Sequence, residues 1–215
     1  MKKTLYSLML NDDVVREVDL LAHQRGTSRS SLINEILADY VEVMTPERWI
    51  NQVFKTVEQL LAPSRELVPF FVPNTSSMSV KSSLQYKYRP TVKYEVEFHS
   101  LSNDSNGELS VIFRTQSGEL IRAMTNFFRL WKQTEDRWLT AHNLSPRQYE
   151  LYDGRFVRSL CVAEQDLNHP KMAQSIVDYV ETFDRLMKAY LANNLTPEQL
   201  SDAYDQAMEQ QAVIF

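Results

Sequence analysis

Residues 4–43 read TLYSLMLNDDVVREVDLLAHQRGTSRSSLINEILADYVEV, and the hydrophobic period changes along them. Tyr6-Ser7-Leu8-Met9-Leu10 predicts a short strand, because side chains alternate faces in extended chain. One face carries Tyr6, Leu8 and Leu10, and the other carries Leu5, Ser7 and Met9. Asn11 is a good N-cap, and Asp12 and Asp13 suit the positive end of a helix dipole. A first helix then places Val14, Val15, Val18, Leu21 and Ala22 on one side, and Gly26 stands where a helix end needs a left-handed residue. Thr27 or Ser28 caps a second helix whose apolar face is Leu32, Ile33, Ile36, Leu37, Tyr40 and Val41. A strand and two helices in about forty residues cannot enclose a core, so a second copy pairing strand to strand is the expected partner.

That order resembles the ribbon-helix-helix DNA-binding family, which includes the Arc, MetJ and CopG repressors. The resemblance covers residues 1–45, about a fifth of the 215-residue chain. It implies a homodimer whose two strands form an antiparallel ribbon in the major groove, with the start of the second helix on phosphate. Carried over by position, Leu5, Ser7 and Met9 face the bases, with Lys3 one step out, and Thr27, Ser28, Arg29 and Ser30 clamp the backbone. The outward face departs from the usual polar pattern. Ser7 is its one hydroxyl, and Leu5 and Met9 can touch thymine methyl groups but cannot read guanine. Residues 1–45 also hold five Lys or Arg against seven Asp or Glu, which limits affinity gained from counterion release. A dimerisation arm with Leu5 and Met9 buried by something other than DNA is the plainer alternative.

Composition bounds the remainder. Apolar residues make up 43% and charged residues 24%, as in ordinary globular proteins, and the net charge of −5 argues against a general polyanion binder. A single cysteine, Cys161, precludes an internal disulfide and fits a cytoplasmic setting. No apolar run reaches the roughly 18 residues of a membrane span, and the start of the chain lacks the apolar run of a signal peptide. Four glycines in all, in neither phosphate-loop pattern, argue against a nucleotide fold.

Thr45-Pro46-Glu47 predicts a third helix carrying Trp49, Ile50, Val53, Phe54, Val57, Leu60 and Leu61. Residues 46–83 are expected as that helix followed by a Pro/Ser-rich linker from Pro63, and residues 84–215 as an α+β domain. Residues 84–99 alternate, with Tyr94, Val96 and Phe98 inward, and pair with Leu109–Phe113 as a hairpin. Ser117 caps a helix running to about Ala141. Asp153-Gly154 turns a second hairpin. A helix is expected from about Pro170 to Leu191, and Thr196, Pro197 and Gln199 open the last one with a capping box.

No set of residues reads as catalysis. Glu95 and Glu97 with Lys93 are expected on a solvated strand face. Phe127, Phe128, Trp131 and Trp138 at helical spacing are expected in the core rather than around a ligand. His23, His99, His142, His169 and Cys161 lack close metal-ligand spacing, so no metal and no cofactor is assigned, with His99 at the surface and Cys161 toward the core. Tyr86-Lys87-Tyr88-Arg89 fits an edge strand guarded by Lys as well as it fits a nucleic-acid contact. The expected protein is therefore a homodimeric transcriptional regulator of duplex DNA, with no enzymatic role. Its α+β domain adds dimer or tetramer contacts, or responds to a signal. The alternative is an antitoxin-like or assembly factor holding a protein partner.

Overall fold

Local sequence sets where every helix begins. A computed structural model describes residues 4–73, 75–85, 89–99, 106–161, 168–211 and 215. Within them α1 runs Asp12–Gln24, α2 Arg29–Tyr40, α3 Pro46–Leu61, α4 Gly118–Ala141, α5 His169–Leu191 and α6 Pro197–Glu209. The side chains of Asn11, Ser28, Thr45, Ser117, Asn168 and Thr196 each accept a backbone N–H from the first turn they precede. Such a cap satisfies one of the donors a helix start leaves free. Thr196 and Gln199 close the expected capping box reciprocally. Gly26 ends α1 with φ 63°, and Asn143 and Asn193 take the same left-handed role after α4 and α5.

The strands are β1 Val68–Phe71, β2 Ser77–Ser83, β3 Thr91–Phe98, β4 Gly107–Phe113, β5 Tyr149–Tyr152 and β6 Arg155–Leu160. They form one antiparallel sheet in the order β1-β2-β3-β4-β6-β5. The two expected hairpins are therefore halves of a single sheet, joined by β4 against β6. The expected linker is also revised: residues 63–83 contribute β1 and β2. Pro69 fits because β1 is an edge strand, where a missing N–H costs little. Residues 86–88 of the basic-aromatic run lie outside the described residues.

Helices α3, α4 and α5 cover one face of this sheet. Trp49 of α3 meets Phe98 edge-on at 5.2 Å, Phe128 of α4 stacks on Phe156 at 5.3 Å, and Phe183 of α5 meets Tyr94 at 5.9 Å. Phe127, Phe128, Trp131 and Trp138 are buried there, as their spacing predicted. The opposite face carries a mixed row in register across the sheet, Phe70, Ser79, Glu95, Ser110, Val157 and Glu150, of which Ser79, Ser110 and Val157 are buried. α3 belongs to this body, since Trp49, Val53, Phe54, Val57 and Leu61 join its core.

A charged cluster lies inside that core. Glu135 of α4 and Arg158 of β6 have side chains only 1% and 2% exposed, with Arg158 Nε donating to Glu135 Oε1 at 2.9 Å. The hydroxyls of Tyr149 and Tyr204 also donate to Glu135, at 2.9 and 3.1 Å. Trp131 Nε1 donates to Tyr179 at 2.8 Å, and Tyr179 in turn reaches Glu135 at 3.3 Å. Arg158 further donates to the carbonyl of Phe215, whose ring it overlies. So many partners are what keep a buried ion pair tolerable. Cys161, just past β6, is half-buried rather than in the core, because the inward alternation ends at Leu160.

Candidate nucleic-acid interface

Among the described residues, the segment before α1 has no strand partner. Residues 4–11 carry no strand, where one was expected over Tyr6–Leu10. The reason is physical: a strand needs hydrogen bonds from a neighbour, and none of the six strands of the sheet supplies them to it. Its side chains are exposed on both sides. Leu5 and Met9 are 97% and 100% exposed, against 53% and 42% for Leu8 and Leu10. Tyr6, on the Leu8 side by alternation, is exposed like Ser7 on the other.

α1 and α2 pack on each other and bury little. Ala22, Leu32 and Ala38 are their only buried apolar residues, and none belongs to the main core. Ile36, Leu37, Tyr40, Val41, Val43 and Met44 remain exposed.

The start of α2 gathers the four residues of the expected clamp. Thr27 is half-buried, and its N–H donates to Ala22 O at 2.9 Å. Ser28 caps the helix, accepting from Ser31 N at 3.2 Å while donating to Ser31 Oγ at 2.9 Å. Ser30 is exposed. Arg29 does not project freely: its Nε donates to Asp19 Oδ1 at 2.5 Å and its terminal nitrogen to Asp19 Oδ2. That hydrogen bond, with the nearby cation, holds the Asp19 carboxyl below its usual range and raises Arg29. Arg16 lies 3.5 Å from Asp13 and Arg25 3.8 Å from Glu35, so each described arginine of the module faces a carboxylate. Lys3 lies outside the described residues. The geometry thus joins Thr27, Ser28, Arg29 and Ser30 at one helix start, but leaves Leu5, Ser7 and Met9 on an unpaired segment.

Two further places could hold a ligand. A cleft of about 890 Å³ between the end of α3, α5 and α6 is lined by Glu66, Asp178, Glu181, Asp184 and Lys188 among others. Its charges largely answer one another: Lys188 bridges Asp184 at 2.7 Å and Glu66 at 2.8 Å, while Asp184 accepts from the Tyr94 hydroxyl at 2.8 Å. Partial burial, with Asp178 beside it, raises the Glu181 carboxyl. On the sheet face away from α3, α4 and α5, Glu97, His99 and Glu108 bring three ligand atoms within 4.8 Å of one another. Sequence reading missed this group because Glu108 arrives only by cross-strand pairing with Glu97.

Comparisons of the chain with protein-family profiles, curated proteins and solved structures find no match. No helix among the described residues is long and apolar enough to cross a membrane.

Proposed function

We propose that this chain is a homodimeric, DNA-binding transcriptional regulator whose residues 5–10 pair with those of a second copy. The observation that carries the reading is the unfinished N-terminal module: an exposed apolar segment directly before two capped helices that share almost no core. Pairing would bury Tyr6, Leu8 and Leu10 against α1 and α2 of both copies and turn Leu5, Ser7 and Met9 outward on a ribbon. A two-stranded ribbon fits the major groove, where Ser7 offers a hydrogen bond and the flanking apolar pair offers contact with thymine methyl groups. The backbone N–H groups opening α2 would take phosphate on either side.

The test is fluorescence anisotropy of the full chain against pooled DNA fragments from upstream of its own coding region, at two salt concentrations. The expected result is salt-sensitive binding to one fragment, lost in a Ser7→Ala/Arg29→Ala variant. Absence of binding at low salt overturns it.

A second reading is favoured by a specific observation, the pairing of Arg16, Arg25 and Arg29 with carboxylates. In it the ribbon serves only to dimerise, and the larger domain holds a protein partner. A dimer that ignores DNA and co-purifies with one defined protein decides for it.

A further inference from the structure

We propose that Glu97, His99 and Glu108 form a binding site for a divalent transition-metal ion of the zinc class, on the sheet face away from α3, α4 and α5. Glu97 and His99 are two apart at the end of β3, on one side of the extended chain, and Glu108 of β4 stands directly opposite Glu97. Their ligand atoms all lie within 4.8 Å of one another. His99 Nδ1 is already 3.6 Å from Glu97 Oε1. Two ligands of one tetrahedral ion with bonds of about 2.1 Å stand roughly 3.4 Å apart, so this pair needs little movement to chelate.

The backbone beneath the three side chains is tightly held. His99 N donates to Asn106 O and Asn106 N to Leu160 O, both at 2.8 Å, which ties β3, β4 and β6 together at this end. Gly107 permits that approach: a Cβ there would lie 2.0 Å from the Glu97 carbonyl oxygen. The register therefore forces two carboxylates into opposition, an arrangement that costs stability unless a cation answers it. Arg155 answers in part, 3.4 Å from Glu108 Oε1. A carboxylate has a second oxygen, so Glu108 can keep Arg155 and still ligate. One imidazole with two carboxylates suits zinc and its neighbours, whereas magnesium prefers oxygen ligands and retains its waters. Solvent would complete the coordination, leaving an open position on an accessible face. This inference is independent of any role in DNA binding.

The experiment is isothermal titration of the full chain with zinc chloride, with magnesium chloride as comparison. Zinc is expected to bind at one ion per chain, and magnesium not to bind. His99→Ala and, separately, Glu97→Gln/Glu108→Gln are expected to weaken zinc binding by about tenfold or more. The three side chains are 33–52% exposed, so these variants should keep the parent circular dichroism spectrum. No saturable zinc binding, or binding unchanged by His99→Ala, overturns the proposal.

Discussion

Arg29 at the start of α2 and Asp19 of α1 form a two-armed ion pair that joins the two N-terminal helices. The same guanidinium stands at the position where a phosphate contact is proposed. If the proposed contact exists, Asp19 competes with phosphate for it. Replacing Asp19 by Ala should free the cation and tighten duplex binding, steepening the slope of log affinity against log salt by about 0.9. Anisotropy titrations across a salt series measure it. Both side chains are about half exposed, so the melting temperature should barely move. A parallel decrease in affinity would place Arg29 in a purely structural role.

Glu135 and Arg158 predict the largest single-site losses. Glu135→Ala leaves a buried guanidinium without its carboxylate and three tyrosine hydroxyls without their acceptor. Urea unfolding should show a loss of about 3–5 kcal/mol. The double variant Glu135→Ala/Arg158→Met should lose less than the sum of its two single changes, by at least about 1 kcal/mol. Strict additivity would mean that the pair is not coupled.

Alkaline pH should unfold the protein through the buried Tyr94, Tyr179 and Tyr204 and the half-buried Tyr149. Burial, reinforced by Asp184, raises Tyr94 well above its ordinary value. Burial beside Glu135 raises Tyr149, Tyr179 and Tyr204. A group whose pKa is raised by folding contributes fully below its unfolded pKa of about 10, and that contribution is lost as pH rises above it. Stability should therefore be flat up to about pH 10 and fall beyond it. Ultraviolet titration of tyrosinate should show these four ionising only together with loss of the circular dichroism signal. Their ionisation in a folded chain would contradict the burial.

Gly107 is expected to resist substitution. A Cβ would meet the Glu97 carbonyl oxygen at 2.0 Å and the Phe98 Cα at 2.9 Å, both backbone atoms of the neighbouring strand. Gly107→Ala should cost about 3 kcal/mol in urea unfolding. Gly26→Ala makes a useful contrast. Nothing lies within 4 Å there, and its penalty comes only from the left-handed φ of 63°, about 1 kcal/mol.

What the sequence made legible was mostly local. Asn11, Ser28, Thr45, Ser117 and Thr196 announce their helices because a cap acts within three residues. Asp153-Gly154 likewise sets its own hairpin, with Gly154 at φ 82°. β1 and β2 were hidden because Pro69, Pro73 and the serines around Met78 read as loop. The strand character of β2 comes from β3, with which it pairs along seven residues, and that of β1 from β2. The Glu135 cluster left a readable signal: Glu135 falls on the apolar stripe of α4 between Trp131 and Trp138, and Arg158 alternates with Phe156 and Leu160. A charge on each of two core-facing patterns marks a buried pair. The helix start at Thr27–Ser30 was legible for the same reason as the caps, whereas the ion pair of Arg29 with Asp19 depends on how α1 folds back on α2.

Both functional readings rest on the pairing of two copies through residues 5–10. Sedimentation equilibrium of the full chain, beside a Leu8→Glu/Leu10→Glu variant, tests that pairing directly. The account predicts a mass of about 50 kDa for the parent, twice the 25.1 kDa of one chain, and 25.1 kDa for the variant. A parent that remains at 25.1 kDa at micromolar concentrations, or a variant that still dimerises, would contradict it.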